Sequence, residues 1–360
     1  MTLHIALEVD GAGAHPAAAY ATSLSPDRLL SADHLRRTVA AAENAGVSFV
    51  TFDDSLTRPS GVDAVTRAAF VAPLTSRIGL VPLAHPAVTE PFHLAAQVAA
   101  LDHASTGRSG WLVGSGPVPG ARAALDRPVA DGQDLLDETR DVVRVVRDLW
   151  DSWEDDAVVR DTATGRYIDR DRLHYVDFTS GGSGPFAGPG LRDAPDGSRA
   201  PFTVKGPLIV PRGPQGQPVV VARAGTVPTE LLDVALVQTP ESSGAPLTFL
   251  DVAVTLDTQR ATAADRLAAL DEVTPSGDVV RWTGSADGLV ELLLSLRGVV
   301  DGVRLLPSVL EEELPEIVRR VLPALRVARA VPTPRPGATL RDTLRLPRPT
   351  NRFATLEEIS

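Results

Sequence analysis

The sequence predicts an α/β fold, a (β/α)8 barrel with a long insert after its fourth helix and a C-terminal extension. Two observations lead there. Short β-branched or apolar runs alternate with amphipathic helical stretches from end to end, the pattern of a parallel sheet wrapped in helices. The runs number eight, which suits a closed ring, and 360 residues with 43% hydrophobic content can build one large barrel. In order, strands are expected at Leu3–Val9, Ser48–Phe52, Ile78–Leu83, Gly110–Ser115, Pro218–Ala222, Val234–Gln238, Phe249–Leu256 and Gly302–Leu306. Helices are expected at Ala32–Ala45, Asp63–Ala72, Phe92–Ala104, Leu135–Trp153, Ala263–Leu270, Ala286–Leu296 and Leu310–Val327. In the last of these Leu310, Leu314, Ile317, Val318, Val321, Leu322 and Leu325 recur at the spacing of one buried face.

Two stretches break the alternation. Glu154–Gln217 is polar and rich in glycine and proline, and its middle, Ser180–Arg199, has little that can form a core. Such an insert is either a lid over the site or a surface ornament. The expected organisation is therefore a barrel over residues 1–330, including the insert at 154–217, and an extension over 331–360 that packs on the barrel or on a partner subunit.

Composition removes several function classes. With no cysteine there is no disulfide framework, thiolate metal site or cysteine nucleophile. A formal charge of −11, spread along a chain whose positive residues are arginines apart from Lys205, argues against a nucleic-acid partner, which needs a basic face. The start lacks a basic segment followed by a long apolar one, and no later segment offers eighteen uninterrupted apolar residues, so a soluble, cytoplasmic protein without a membrane partner is expected.

The motifs are more specific. Phe49-Val50-Thr51-Phe52-Asp53-Asp54-Ser55 is an apolar strand ending in acid and serine. Thr89-Glu90-Pro91-Phe92 opens a helix that closes with Leu101-Asp102-His103-Ala104, followed by Ser105-Thr106-Gly107-Arg108-Ser109-Gly110-Trp111. Further on come Leu149-Trp150-Asp151-Ser152-Trp153, Phe202-Thr203-Val204-Lys205-Gly206-Pro207 running on to Pro214-Gln215-Gly216-Gln217-Pro218, then Thr339-Leu340-Arg341-Asp342-Thr343-Leu344 and Leu346-Pro347-Arg348-Pro349. In type and order these resemble the bacterial luciferase-like flavin-dependent monooxygenases, nearest to the nitrilotriacetate monooxygenase branch, over residues 49–353. The resemblance implies a TIM-type barrel with its site at the C-terminal strand ends. It also implies reduced FMN supplied by a separate flavin reductase, dioxygen, a small organic substrate, and a homodimer or a heterodimer with a paralogue. Some relatives use the deazaflavin F420 instead.

Carried onto this chain, the resemblance marks Asp54 as the acid beside the flavin ring, with Ser55 next to it; the alternative is a turn cap. Thr89 and Glu90 are either flavin contacts or the cap of the helix that Pro91 opens. His15, after the first strand, and His85, after the third, are candidates to face flavin or substrate and, with Asp54, to act in catalysis; a solvated loop histidine is the alternative. Gly114 and Ser115 end the fourth strand near the ring. Arg223 with Gly225 and Thr226 follows the fifth strand and precedes a possible helix, where a cation and backbone N–H groups can hold phosphate. Trp111 reads as core, His34, His93 and His103 as structural, and His174 as a surface residue of the insert. No metal site is expected.

The chain also departs from the pattern. The threonine-rich loop after the third strand reads Leu83-Ala84-His85-Pro86-Ala87, and the fourth strand reads Trp111-Leu112-Val113-Gly114-Ser115 where polar side chains are expected. Leu135-Leu136 stands where an Arg-Tyr pair would touch phosphate, and the loop from Ala224 to Pro228 is short. Three readings follow: a different donor set drawn from Arg122, Arg127 and Arg223, weak and transient flavin binding, or a non-catalytic subunit or scaffold.

Overall fold

The computed structural model describes residues 2–9, 11–54, 61–116, 129, 131–181, 202–277 and 279–354. Eight parallel strands close into a barrel. They are β1 His4–Glu8, β2 Phe49–Phe52, β3 Gly79–Ala84, β4 Gly110–Val113, β5 Val219–Arg223, β6 Val234–Val237, β7 Leu247–Leu256 and β8 Gly302–Pro307. Neighbours pair in sequence order throughout, and the pairings of β6 with β7 and of β8 with β1 complete the ring. Each expected strand forms, with ends shifted by two residues or fewer.

Alternation along the strands sorts the core. Ala6, Phe49, Val81, Leu112, Val219, Val221, Leu236 and Phe249 point inward and pack on one another. Ile5, Leu7, Val50, Phe52, Val252 and Val303 point outward into the helices. Near the floor the Phe249 ring lies 5.4 Å from that of Phe49 and 6.2 Å from that of His4. A Cβ on Gly302 would come within 2.4 Å of the Phe249 ring, so glycine is what lets that ring fill the barrel.

The outer layer contains helices Ala32–Ala45, Ala64–Val71, Pro91–Ala104, Gly132–Trp150, Ala263–Val273 and Ala286–Ser295. It is incomplete. After β5 there is only a 3-10 turn, Thr229–Leu231, and after β6 no helix at all, which corrects the expectation of a helix behind Arg223. The residues available, 224–233 and 238–246, are too few to cross and return through an ordinary helix. An unforeseen short strand, Arg281–Gly284, pairs with Ala253–Leu256 of β7, beyond the point where β6 ends. The last long helix is also interrupted. Leu310–Glu316 is α-helical, Ile317–Val321 is a π-turn and Leu322–Val327 returns to α. Pro315 and Pro323 each lack an N–H, and the ring of Pro315 displaces the preceding turn.

The insert forms two small antiparallel pairs, Val158–Asp161 with Arg166–Ile168 and Asp177–Thr179 with Thr203–Lys205; most of Ser180–Arg199 lies outside the described residues. The C-terminal segment folds beneath the barrel. Leu340, Leu344 and Leu346 join the interior cluster from below, and Arg341 is buried with its guanidinium on Asp233, 3.1 and 3.0 Å, and on the Gln217 carbonyl, 2.7 Å. No helix among the described residues is long and apolar enough to cross a membrane.

Candidate functional site

Loops following β2, β3 and β4 converge at the C-terminal mouth. His85, the first residue after β3, directs Nε2 at the Asp54 carbonyl, 3.3 Å away. Its ring rests on Gly114, where an added Cβ would lie 2.3 Å from Nδ1, so no side chain fits at 114 while the imidazole stays in place. A carbonyl only accepts, which puts the proton on Nε2 and leaves Nδ1 a bare acceptor. That Nδ1 is buried and has no hydrogen-bond partner among the described residues. Asp54 accepts from the Ala64 N–H at 3.2 Å through Oδ2, tying the end of β2 to the first turn of the helix Ala64–Val71. Arg67, from that same helix, donates to the Asp53 carbonyl and, at 2.9 Å, to the Val62 carbonyl, and stands over the Phe52 ring.

Three of the expected residues, Asp54, His85 and Gly114, are thus in direct contact, and half-buried Ser115 follows immediately. Ser55, Arg122 and Arg127 lie outside the described residues. Thr89 is bound back to the His85 carbonyl through its own N–H, 3.1 Å. Glu90 takes the capping alternative: exposed, it accepts from Phe92 N–H at 3.0 Å and His93 N–H at 2.6 Å. His15 is not a solvated loop residue. It is buried, accepting from Ala17 N–H at 3.1 Å and meeting the Asp271 carboxylate at 3.1 Å, so both ring nitrogens are occupied in holding the loop after β1 against the helix Ala263–Val273.

At the end of β5 the exposed Arg223 side chain makes no ion pair among the described residues, and Gly225 sits at φ 80° with open space where a side chain would be. Thr226 closes the turn on itself, its N–H and hydroxyl both donating to the Arg223 carbonyl. Among the described residues, the corner expected to take phosphate therefore presents one cation and a glycine, without a helix N-terminus behind them.

Sequence reading missed the charges inside the barrel. Glu8, Asp251 and Arg304 occupy inward positions of β1, β7 and β8. Arg304 meets Asp251 through two hydrogen bonds, 2.8 and 2.6 Å, and lies 3.6 Å from Glu8. Burial by itself weakens the Arg304 charge, but Asp251 and Glu8 outweigh it and hold the guanidinium protonated above its ordinary range. Thr51, level with Glu8 on β2, carries a buried hydroxyl without a hydrogen-bond partner among the described residues. Strand alternation was the available signal, since Glu8, Asp251 and Arg304 each share their strand face with core residues. Leu112 points into the barrel and is 5% exposed; Leu135 is buried and Leu136 half-buried. No cluster of three or more metal-ligating side chains exists among the described residues.

His34 lines a side cavity at the strand ends, His103 bonds the Pro211 carbonyl at 3.1 Å, and His174 bonds Glu154 at 2.7 Å while stacking on Phe353. Trp111 is core, fully buried, with its indole N–H on the Ala84 carbonyl.

Residues 1–188 match the family model described as luciferase-like monooxygenase. The N-acetyl-S-(2-succino)cysteine monooxygenase of Bacillus subtilis (strain 168) is 30% identical over 225 residues, 59% of this chain and 46% of its own. Component A of the nitrilotriacetate monooxygenase of Aminobacter aminovorans is 29% identical over 232 residues, 57% of this chain and 46% of its own. The alignments thus span about half the length of these curated relatives. The crystal structure of a long-chain alkane monooxygenase superposes with a TM-score of 0.77 over 99% of both chains at 16% identity, a likeness of fold.

Proposed function

The chain belongs to the luciferase-like monooxygenase family, and from that membership we propose that it is a flavin-dependent monooxygenase acting on a small organic molecule, using reduced FMN delivered by a separate reductase. The observation that carries this reading is the buried, unpartnered Nδ1 of His85, fixed at the barrel mouth between Asp54 and Gly114. A reduced isoalloxazine offers N–H donors, which suit a bare imidazole acceptor. Reduced FMN, when bound, supplies the electrons that activate dioxygen.

The chain's own residues do the rest. Asp54 and His85 orient the ring edge, His85 through Nδ1 as an acceptor. Gly114 leaves room for the His85 imidazole, and Ser115 lies at the border of the flavin ring. Arg223 and Gly225 receive the phosphate. With a single cation among the described residues in place of several charge-assisted donors, each worth about 1.5–3 kcal/mol, binding is weak and the flavin is exchanged between proteins rather than retained. His15 and Glu90, already occupied elsewhere, have no part in this arrangement.

Anaerobic titration with photoreduced FMN tests the reading. Saturable binding is expected, with slower reoxidation than free flavin once air is admitted, and Arg223→Ala is expected to weaken binding roughly tenfold or more. Absence of saturable binding would favour the second reading, a non-catalytic subunit, for which the missing helix behind β5 is the specific observation. The same titration with F420 decides between the two flavin types.

A further inference from the structure

At the ends of β1, β7 and β8, apart from the loops that carry Asp54, His85 and Gly114, a cleft of about 500 Å³ opens to the surface. Three stretches wall it, residues 17–21 after β1, 258–273 after β7 and 309–316 after β8, and all three are described throughout. Its floor is a small apolar cluster separate from the barrel core, in which Ala17, Leu270 and Val309 are buried. Short side chains make the space, since Ala21, Ala261 and Ala269 line it as well. Tyr20 and Val273, 79% and 55% exposed, also line it and form its rim.

The walls are braced from behind. His15 meets Asp271 of the helix Ala263–Val273 at 3.1 Å, and the Ala14 N–H donates to the Pro307 carbonyl at 2.7 Å. Beyond Ala21, Glu311 accepts from the Thr22 hydroxyl at 2.9 Å and from the Ser23 N–H and hydroxyl at 2.9 and 2.6 Å. A cleft held at both ends is formed before a guest arrives, so little ordering is left for binding to bring about.

The charged side chains sort by partner. Arg266 is engaged by Glu312 and, at 2.6 Å, by Glu313, while Glu316 meets Arg320 at 3.3 Å. Each carboxylate of the cleft thus already has an arginine. Arg260 has no carboxylate: it is exposed, lines the cleft and makes no ion pair among the described residues. The turn beneath it is fixed, the Thr258 hydroxyl accepting from the Arg260 and Ala261 N–H groups, both at 3.3 Å.

We propose that this cleft is a binding site, separate from the mouth residues Asp54, His85 and Gly114, for an amphipathic carboxylate whose apolar body lies on Leu270 and Val309 beside Tyr20 and whose head meets Arg260. Covering the exposed faces of Tyr20 and Val273 drives the association, and the one unmatched cation selects the head group. An ammonium would be repelled by Arg260 and would find only carboxylates that are already paired; a hydroxyl gains from neither. At roughly 30 Å³ for each water displaced, the volume holds a guest of about twelve non-hydrogen atoms with water left at the open side. The site is built from protein alone and stands whether or not the chain is an oxygenase.

Three probes with one body and different heads test this: 4-phenylbutyrate, 4-phenylbutanol and 4-phenylbutylamine, each titrated calorimetrically into the full chain. All three are expected to bind saturably, the acid about fivefold tighter than the alcohol and the amine weakest. Arg260→Gln is expected to bring the acid to within about twofold of the alcohol while the affinity for the alcohol stays as it was. Ala269→Trp, on the exposed side of its helix, fills the cleft and is expected to abolish binding of all three with the circular dichroism spectrum unchanged. Should that variant fail to fold, Arg260→Gln reads the proposal by itself. No saturable binding of the acid, an acid no tighter than the alcohol, an amine tighter than the acid, or an acid preference that survives Arg260→Gln would overturn it.

Discussion

His4 shows how a single side chain can carry a pH dependence without touching the site. It lies on the barrel floor, its Nδ1 3.2 Å from the Ser48 hydroxyl and its ring stacked on Phe249. Burial lowers its pKa from 6.5 to about 4, Arg345 adding to the effect and Asp301 opposing it. Above pH 6.5 the histidine is neutral in both folded and unfolded chains and costs nothing. As pH falls from 6.5 toward 4 only the unfolded chain takes up the proton, so stability declines, by about 3 kcal/mol in all. Comparing urea midpoints of wild type and His4→Gln across this range should show a shallower acid decline in the variant; equal slopes would remove His4 from the account. At the mouth the same residue type behaves differently, since His85 keeps its Nδ1 buried but unoccupied. Composition cannot tell the two apart, because the difference lies in what the neighbouring strands put beside each ring.

Among the elements, the helix Pro91–Ala104 shows a sequence motif whose two readings the structure separates. Pro91 stands at the first helical position and Glu90 caps the exposed N–H groups of Phe92 and His93. Glu90→Ala should cost about 1 kcal/mol in unfolding free energy. If Glu90 is a cap and nothing more, the same variant binds reduced FMN as the wild type does; weakened flavin binding would restore it to the site. Most elements were legible because their periodicities are strong, as in Ala32–Ala45 between its Ser31 cap and Gly46. The strand Arg281–Gly284 was not, since it is four residues long and all of them are half-buried. Nor was the π-turn at Ile317–Val321, for the apolar spacing of Leu310–Val327 runs unbroken through both prolines.

For the whole molecule, the motifs that carried the family resemblance turn out to sit mainly at the floor of the barrel and beside it. Asp102 accepts from the Ser109 hydroxyl at 2.8 Å and the Gln215 amide at 2.6 Å. Arg108 donates to the carbonyls of Ala72, Thr75, Ile78 and Ser105. Arg212 joins Asp151, and Arg348 holds Asp155 down to about 2 through paired 2.7 Å bonds. Asp233 is pushed up by burial, but Arg147 and Arg341 outweigh that and keep it below the ordinary carboxylate range. Arg341→Met should therefore destabilise the fold by about 3 kcal/mol, read by urea unfolding, because buried Asp233 is left with Arg147 and the Val220 N–H. A loss under 1 kcal/mol would mean that the C-terminal segment rests on the barrel without bracing it.

By itself the sequence determined the eight strands, most of the long helices and the family, because hydrophobic periodicity and turn chemistry are local and the floor motifs are contiguous runs of residues. Tertiary structure alone decided which polar side chains face one another. Glu8, Asp251 and Arg304 come from strands hundreds of residues apart in places, and only ring closure makes them neighbours. The same closure sets His85 on Gly114 and brings His15 to Asp271. A site at the mouth of a barrel is a set of distances between chain segments, and those distances are fixed by how the sheet curls rather than by the order of the residues along it.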